Sequence, residues 1–129
     1  KSWKKVNYKG FLGRKEITEL YYNSLVGMVT LYPTKNYQTS LPVKMFEYMA
    51  AGLPVIASNF PYWESIIKKH ECGICVDPTS VSEITKAIKT LVENPSIAKT
   101  MGENGLNAIK THFNWEKEGQ KLTSFYHQL

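Results

Sequence analysis

Between Leu31 and Asn59 the chain reads LYPTKNYQTSLPVKMFEYMAAGLPVIASN. An apolar run stops at Pro33, a polar stretch follows, and a helix-forming segment begins around Ser40-Leu41-Pro42. Ala51-Gly52-Leu53-Pro54 then leads into a second apolar run. The order is strand, loop, helix, strand. Short apolar runs without polar alternation are the pattern of parallel strands buried on both faces. Parallel neighbours need a crossover, and the helix between the runs supplies one. A chain built on this unit is confined to helices layered on a parallel sheet.

The alternation extends in both directions. Val6 to Phe11 reads as a short strand ending at Gly10-Phe11-Leu12-Gly13, and Arg14 to Ser24 as a helix with Ile17, Leu20 and Tyr21 at helical spacing. Leu25 to Tyr32 is a strand. Pro42 suits the first helical position, with Ser40 or Leu41 as cap, and Gly52 is placed to end that helix near Ala51. Pro54 to Ser58 is a strand and Tyr62 to Lys69 a short helix that Glu64 can cap. Ile74 to Asp77 is a further strand. Ser80-Val81-Ser82-Glu83 forms a capping box before a stripe of Ile84, Ala87, Ile88 and Leu91. Asn94-Pro95 starts a helix that runs to about Thr111. Asn114 caps the last helix, with Trp115, Leu122, Phe125 and Tyr126 on its inner side. The expected fold is α/β: a Rossmann-like, three-layer domain with a mostly parallel sheet and helices on both faces. One domain over residues 1–129 suits the length.

Composition narrows the function classes. The formal net charge of +5 comes from scattered residues with no run of five like charges, whereas a nucleic-acid footprint clusters. No nucleic-acid partner is expected. Cys72 and Cys75 lie in Glu-Cys-Gly-Ile-Cys, and one such pair cannot complete a four-ligand zinc site. A redox pair would open a helix, but Gly73 and the residues after it read as a turn entering a strand. Buried structural thiols are expected, as in a reducing compartment. His70, His112 and His127 read as helix-end or surface residues, and no metal site or cofactor is expected. No apolar stretch approaches the ~20 residues of a membrane span. No apolar core of a signal peptide follows the basic start. The expected location is cytoplasmic. Lys1-Ser2-Trp3 leads almost at once into a strand-like run, as expected of a piece cut from a longer protein.

Ligands of open parallel sheets bind beyond the carboxyl ends of the strands. Three loops qualify: Gly10 to Gly13, Pro33 to Leu41, and Asn59 to Pro61. The middle one exceeds the ~2–6 residues usual for such a connection. It is rich in hydrogen-bonding residues, from Thr34 to Ser40. It ends at a helix front, where unpaired amides and the positive end of the helix dipole bind phosphate. Leu41, Val43 and Lys44 can turn amides outward, and Lys44 and Glu47 share a face. A diphosphate would sit at this mouth, and a ribose diol would meet Glu47, because a carboxylate accepts two hydroxyl hydrogens. The other reading of the same spacing is an ordinary ion pair between Lys44 and Glu47 on a solvated face.

The run S-L-P-V-K-M-F-E-Y-M-A-A-G-L-P-V-I-A-S resembles the donor-binding signature of the family-4 glycosyltransferases, which have the GT-B fold. V-N-Y-K-G-F-L, E-L-Y-Y-N-S-L-V-G-M-V-T-L-Y-P, C-G-I-C-V-D-P, E-I-T-K-A-I-K-T-L-V-E-N-P and H-F-N-W sit where that family has similar features. The resemblance implies the second half of the C-terminal, nucleotide-sugar-binding domain of a retaining enzyme. It implies a UDP- or GDP-sugar donor, no metal, and a role in cell-surface polysaccharide synthesis. A glycan or lipid-linked acceptor would be held by an N-terminal domain outside this chain, with peripheral contact at the inner membrane face.

Carried over by position, Glu47 would bind the ribose hydroxyls. The backbone at Ser40, Leu41 and Val43 would hold the diphosphate, and Phe11 and Leu12 would lie near the nucleobase. The family's first motif glutamate falls on Thr39, which changes the contact to the transferred sugar. A subgroup reads P-x-K-x-x-E-Y-M, as here, and Lys44 then takes part in donor binding. The family's Arg/Lys pair would precede Lys1, so the isolated chain is expected to be inactive. Two rivals remain. One is another GT-B nucleotide-sugar enzyme, an epimerase or phosphorylase. The other is a non-enzymatic, receiver-like anion-binding module, which the non-acidic strand ends at Phe11, Tyr32-Pro33 and Ser58-Asn59 disfavour.

Overall fold

A computed structural model of the chain describes residues 2–127. After a 3-10 turn at Ser2–Lys5 come α1 (Arg14–Tyr22), β1 (Gly27–Val29), α2 (Lys35–Thr39), α3 (Val43–Ala50) and β2 (Val55–Ser58). They are followed by α4 (Pro61–His70), β3 (Gly73–Val76), α5 (Val81–Glu93), α6 (Pro95–Thr111) and α7 (Trp115–Tyr126). The strands form one parallel sheet in the order β1-β2-β3.

All four residues of β2 are buried. Side chains alternate along a strand, so its apolar residues serve two cores. Val55 and Ala57 join Met45 and Met49 of α3 and Trp63, Ile66 and Ile67 of α4. Ile56 joins Val76 and the α5 residues Ala87 and Leu91 on the other face. Helices therefore cover both faces, and the three-layer α/β expectation holds.

Two glycines fix which rim of the sheet stays open. Gly52 has φ +72°, and this left-handed residue closes α3. The Leu53 amide donates to Tyr48 O at 2.9 Å and the Gly52 amide to Met49 O at 3.0 Å, which satisfies the last turn's carbonyls. Gly102 of α6 lies directly against the Gly52 carbonyl, where any side chain would collide. Thus α6 seals the end of the molecule where the chain enters β2. The carboxyl ends of the strands, with the loops after Val29 and Ser58, lie at the other end.

Several local expectations are corrected. Val6 to Phe11 is not a strand: Val6, Tyr8 and Phe11 are exposed at 57%, 83% and 104%. A strand exists by pairing, and β1, the nearest strand, pairs only with β2. The strand expected over Leu25 to Tyr32 is ordered as one only at Gly27–Val29. Pro42 is the N-cap of α3 rather than its first helical residue, and neither Ser40 nor Leu41 caps it. Glu64 does not cap α4; it pairs with Lys68 one turn on, at 2.8 Å. The box at Ser80 is half-formed. Ser80 Oγ accepts the Glu83 amide at 3.2 Å, but the Glu83 carboxylate accepts the Asp77 amide at 2.8 Å instead of reaching back to Ser80.

Asn114 does cap α7, accepting the Lys117 amide at 2.9 Å. The apolar side of that helix is not an inner side, however. Trp115 is 86% exposed, and Leu122, Phe125 and Tyr126 also face solvent. Among the described residues α7 adds none to either core cluster.

The thiols and imidazoles behave as structure. Cys72 is buried and Cys75 half-buried, and both are free. His70 ends α4 and His112 follows α6, their rings 5.1 Å apart, and His127 follows α7. Burial, with the neighbouring His112 and Lys69 charges, lowers the His70 pKa.

Candidate functional site

The loop from β1 to α3 is held at both ends by side chains of later elements. Ser58, the last residue of β2, is fully buried. Its hydroxyl accepts the Leu31 amide at 2.9 Å and donates to the Leu31 carbonyl at 2.9 Å. One side chain thus replaces a rung of the ladder just past the end of β1. At the loop's far end the indole N–H of buried Trp63 donates to the Ser40 carbonyl at 2.5 Å. Between these anchors the five residues Lys35–Thr39 wind into α2, with Gln38 Nε2 donating to the Pro33 carbonyl at 3.0 Å.

This pinned loop delivers the chain to the front of α3 at the carboxyl rim. The first-turn amides belong to Val43, Lys44 and Met45. Met45 N–H is taken by the Pro42 carbonyl at 3.1 Å. Among the described residues the Val43 and Lys44 amides have no protein acceptor. Leu41 lies before the cap, so its amide is not part of the helix front. Val43 is 71% exposed, and Met45 and Met49 carry the buried side of the helix, so the front faces solvent.

Lys44 and Glu47 do not form the ion pair that their spacing allowed; among the described residues neither is in a salt bridge. Glu47 instead accepts the Tyr21 hydroxyl at 3.3 Å. Thr39 ends α2, and its hydroxyl donates back to Lys35 O at 3.2 Å. Thr39, Ser40, Leu41, Val43 and Lys44 follow one another along the loop and the front of α3, and Glu47 lies a turn further in, bordering a cavity with Thr18, Tyr21, Tyr22, Ala50 and Ala51. Phe11 and Leu12 are not drawn into it: Phe11 is fully exposed, and no described hydrogen bond or core contact ties either residue to α3.

Sequence reasoning passed over Tyr21, Ser58 and Trp63. Each carried a polar signal inside an apolar pattern: a phenol on a helix stripe, a hydroxyl closing a buried strand, an indole that needs an acceptor. Among the described residues no three His, Cys, Asp or Glu side chains converge to hold a metal ion. No described helix is long and apolar enough to cross a membrane.

Residues 1–108 match the family described as glycosyl transferases group 1. The chain belongs to that family. Among relatives of this glycosyl transferase group 1 chain is a lipopolysaccharide core biosynthesis mannosyltransferase of Rhizobium leguminosarum. It is 27% identical over 119 residues, covering 92% of this chain and 33% of the relative. A GDP-mannose-dependent phosphatidylinositol monomannoside mannosyltransferase of Mycobacterium tuberculosis is 29% identical over 85 residues, covering 66% of the chain and 22% of that protein. The solved sucrose-phosphate synthase from Thermosynechococcus elongatus superposes with a TM-score of 0.82 at 26% identity. That match covers 97% of this chain and 30% of the synthase. The chain thus spans about a third or less of the proteins it matches. Family, sheet and superposition together make it part of a GT-B glycosyltransferase C-terminal domain.

Proposed function

We propose that this chain is the donor-binding half of a glycosyltransferase that moves a sugar from UDP or GDP to a glycan or lipid-linked acceptor with retention of configuration. The observation that carries the reading is the open front of α3, where two amides and one lysine, without protein partners among the described residues, and a carboxylate lie between Val43 and Glu47.

The diphosphate rests on the Val43 and Lys44 amides, with the backbone of Ser40 and Leu41 beside it. As the sugar departs, negative charge grows on the diphosphate oxygen. Amides fixed in a helix front stabilise that charge without reorganising, and the Lys44 ammonium adds to them. In this reading the neutralising charge comes from the protein rather than from a metal. Glu47 accepts the ribose hydroxyls. Thr39, where a carboxylate would grip the transferred sugar, offers a weaker acceptor. Phe11 and Leu12, which no described contact ties to α3, are available to border the base with apolar surface. The setting is the cytoplasm, with the parent protein touching the inner membrane face during cell-surface polysaccharide synthesis. The two mannosyltransferase relatives support sugar transfer over epimerisation.

Calorimetric titration with UDP, GDP and ADP tests the site. Glu47→Ala is expected to weaken the preferred nucleotide by about 1.5–3 kcal/mol, the worth of a hydrogen bond to a charged acceptor. Unchanged affinity removes Glu47 from the site. The 129-residue chain alone is expected to show no measurable transfer, because in this reading the acceptor contacts and the Arg/Lys pair come from residues outside it. Detectable turnover in a radiolabelled-donor assay would overturn that expectation.

A further inference from the structure

Glu47 has one protein partner among the described residues, and that partner is neutral. Tyr21 sits near the end of α1, and its hydroxyl reaches Glu47 Oε2 across a sequence gap of 26 residues. The Tyr21 ring stands edge-on against Tyr48, with centroids 5.4 Å apart and planes at 77°. Tyr48 in turn packs over Gly27 at the start of β1, where no side chain would fit beneath it. A chain of contacts thus runs from the sheet through Tyr48 and Tyr21 to the carboxylate. Tyr21, Tyr22, Thr18 and Glu47 border one cavity of about 260 Å³ between α1 and α3. Burial, together with the charges of Glu47 and Tyr48, pushes the Tyr21 phenol up to about 12, so it remains a proton donor at neutral pH.

We propose that Tyr21 is a positioning residue: it braces Glu47 Oε2 so that Oε1 and the remaining lone pairs are aimed at the ribose diol. The inference rests on the donor-site reading given above. A carboxylate has about four acceptor positions, and the phenol fills one. A cation there would have cancelled part of the charge that a diol's hydrogens seek. A neutral donor fixes the side chain and leaves the charge intact. Ordering an exposed glutamate costs rotamer freedom on binding, and a pre-set brace removes part of that cost.

The test is titration of the intact protein with UDP and GDP and with their 2′,3′-dideoxy counterparts, which lack the hydroxyls that Glu47 would accept. Tyr21→Phe keeps the ring on Tyr48 and removes only the hydroxyl. It is expected to weaken the ribonucleotide about five-fold and leave the dideoxynucleotide unchanged. Glu47→Gln should cost more, and adding Tyr21→Phe to it should cost nothing further. Equal weakening of both ligands, or no change at all, overturns the positioning role. If Glu47→Gln weakens the ribonucleotide but Tyr21→Phe does not, this inference falls and the donor-site reading stands. If Glu47→Gln has no effect, both fall.

Discussion

Trp63→Ala is expected to lower the unfolding free energy by about 3–5 kcal/mol, the range for truncating a buried tryptophan. Trp63 has no exposed surface, sits in the core shared by α3, α4 and β2, and packs on Phe60 with ring centroids 4.7 Å apart. A domain of this size has about 5–15 kcal/mol in total, so the loss is a large fraction of it. The indole also joins the core to the rim through its bond to the Ser40 carbonyl. Trp63→Phe separates the two roles. It retains most of the packing and removes the N–H, at a cost of about 0.5–1.5 kcal/mol. Denaturant unfolding should show a lower midpoint at unchanged slope for both variants. A loss below about 1 kcal/mol for Trp63→Ala would contradict the placement of this ring, since core truncations cost more.

Stability should also fall at alkaline pH. Burial pushes the Cys72 thiol from 9.0 to about 11. Burial, with the Glu64 charge, pushes Cys75 from 9.0 to about 12. The folded protein holds these protons more tightly than the unfolded chain does. Their contribution is therefore fully present below about pH 9 and is lost as the pH rises through about 11 to 12. For fully buried Cys72 the loss is about 3 kcal/mol, at roughly 1.4 kcal/mol per pKa unit. Cys75 is partly exposed, so solvent screening makes its share smaller. Unfolding followed between about pH 7 and 11 should show the decline, and Cys72→Ala/Cys75→Ala should make it shallower, the raised Tyr21 and Tyr48 phenols supplying the remainder. A wild-type profile that is flat above about pH 9 would show that the thiols are not desolvated.

The site lies where local and long-range physics divide. That Thr39, Ser40, Leu41, Val43, Lys44 and Glu47 are neighbours was legible because they belong to one short strand–loop–helix unit. Their partners were not legible. Tyr21 lies 26 residues from Glu47, Trp63 lies 23 from Ser40, and Ser58 lies 27 from Leu31. No pattern of period two or 3.6 encodes such pairings. Phe11 and Leu12 show the converse: the segment before α1 reads as a strand, but among the described residues it pairs with nothing, so its placement was not legible.

The amino acids alone determined what depends on near neighbours. The apolar run Val55-Ile56-Ala57, between Pro54 and Ser58, read as a strand buried on both faces. Gly52 could adopt the backbone that closes α3, and Asn114 and Ser80 could cap the helices that follow them. Tertiary structure decided what depends on contacts made elsewhere. Val6 to Phe11 stayed exposed although the free edge of β1 was open to it. Trp115 and Phe125 stayed in solvent because α7 meets neither core cluster. Glu47 met a phenol instead of Lys44 because packing α1 beside α3 brought Tyr21 within reach. A helix or turn is set within a few residues, whereas a ladder, a covered face or a bonded carboxylate requires a partner that local sequence does not specify.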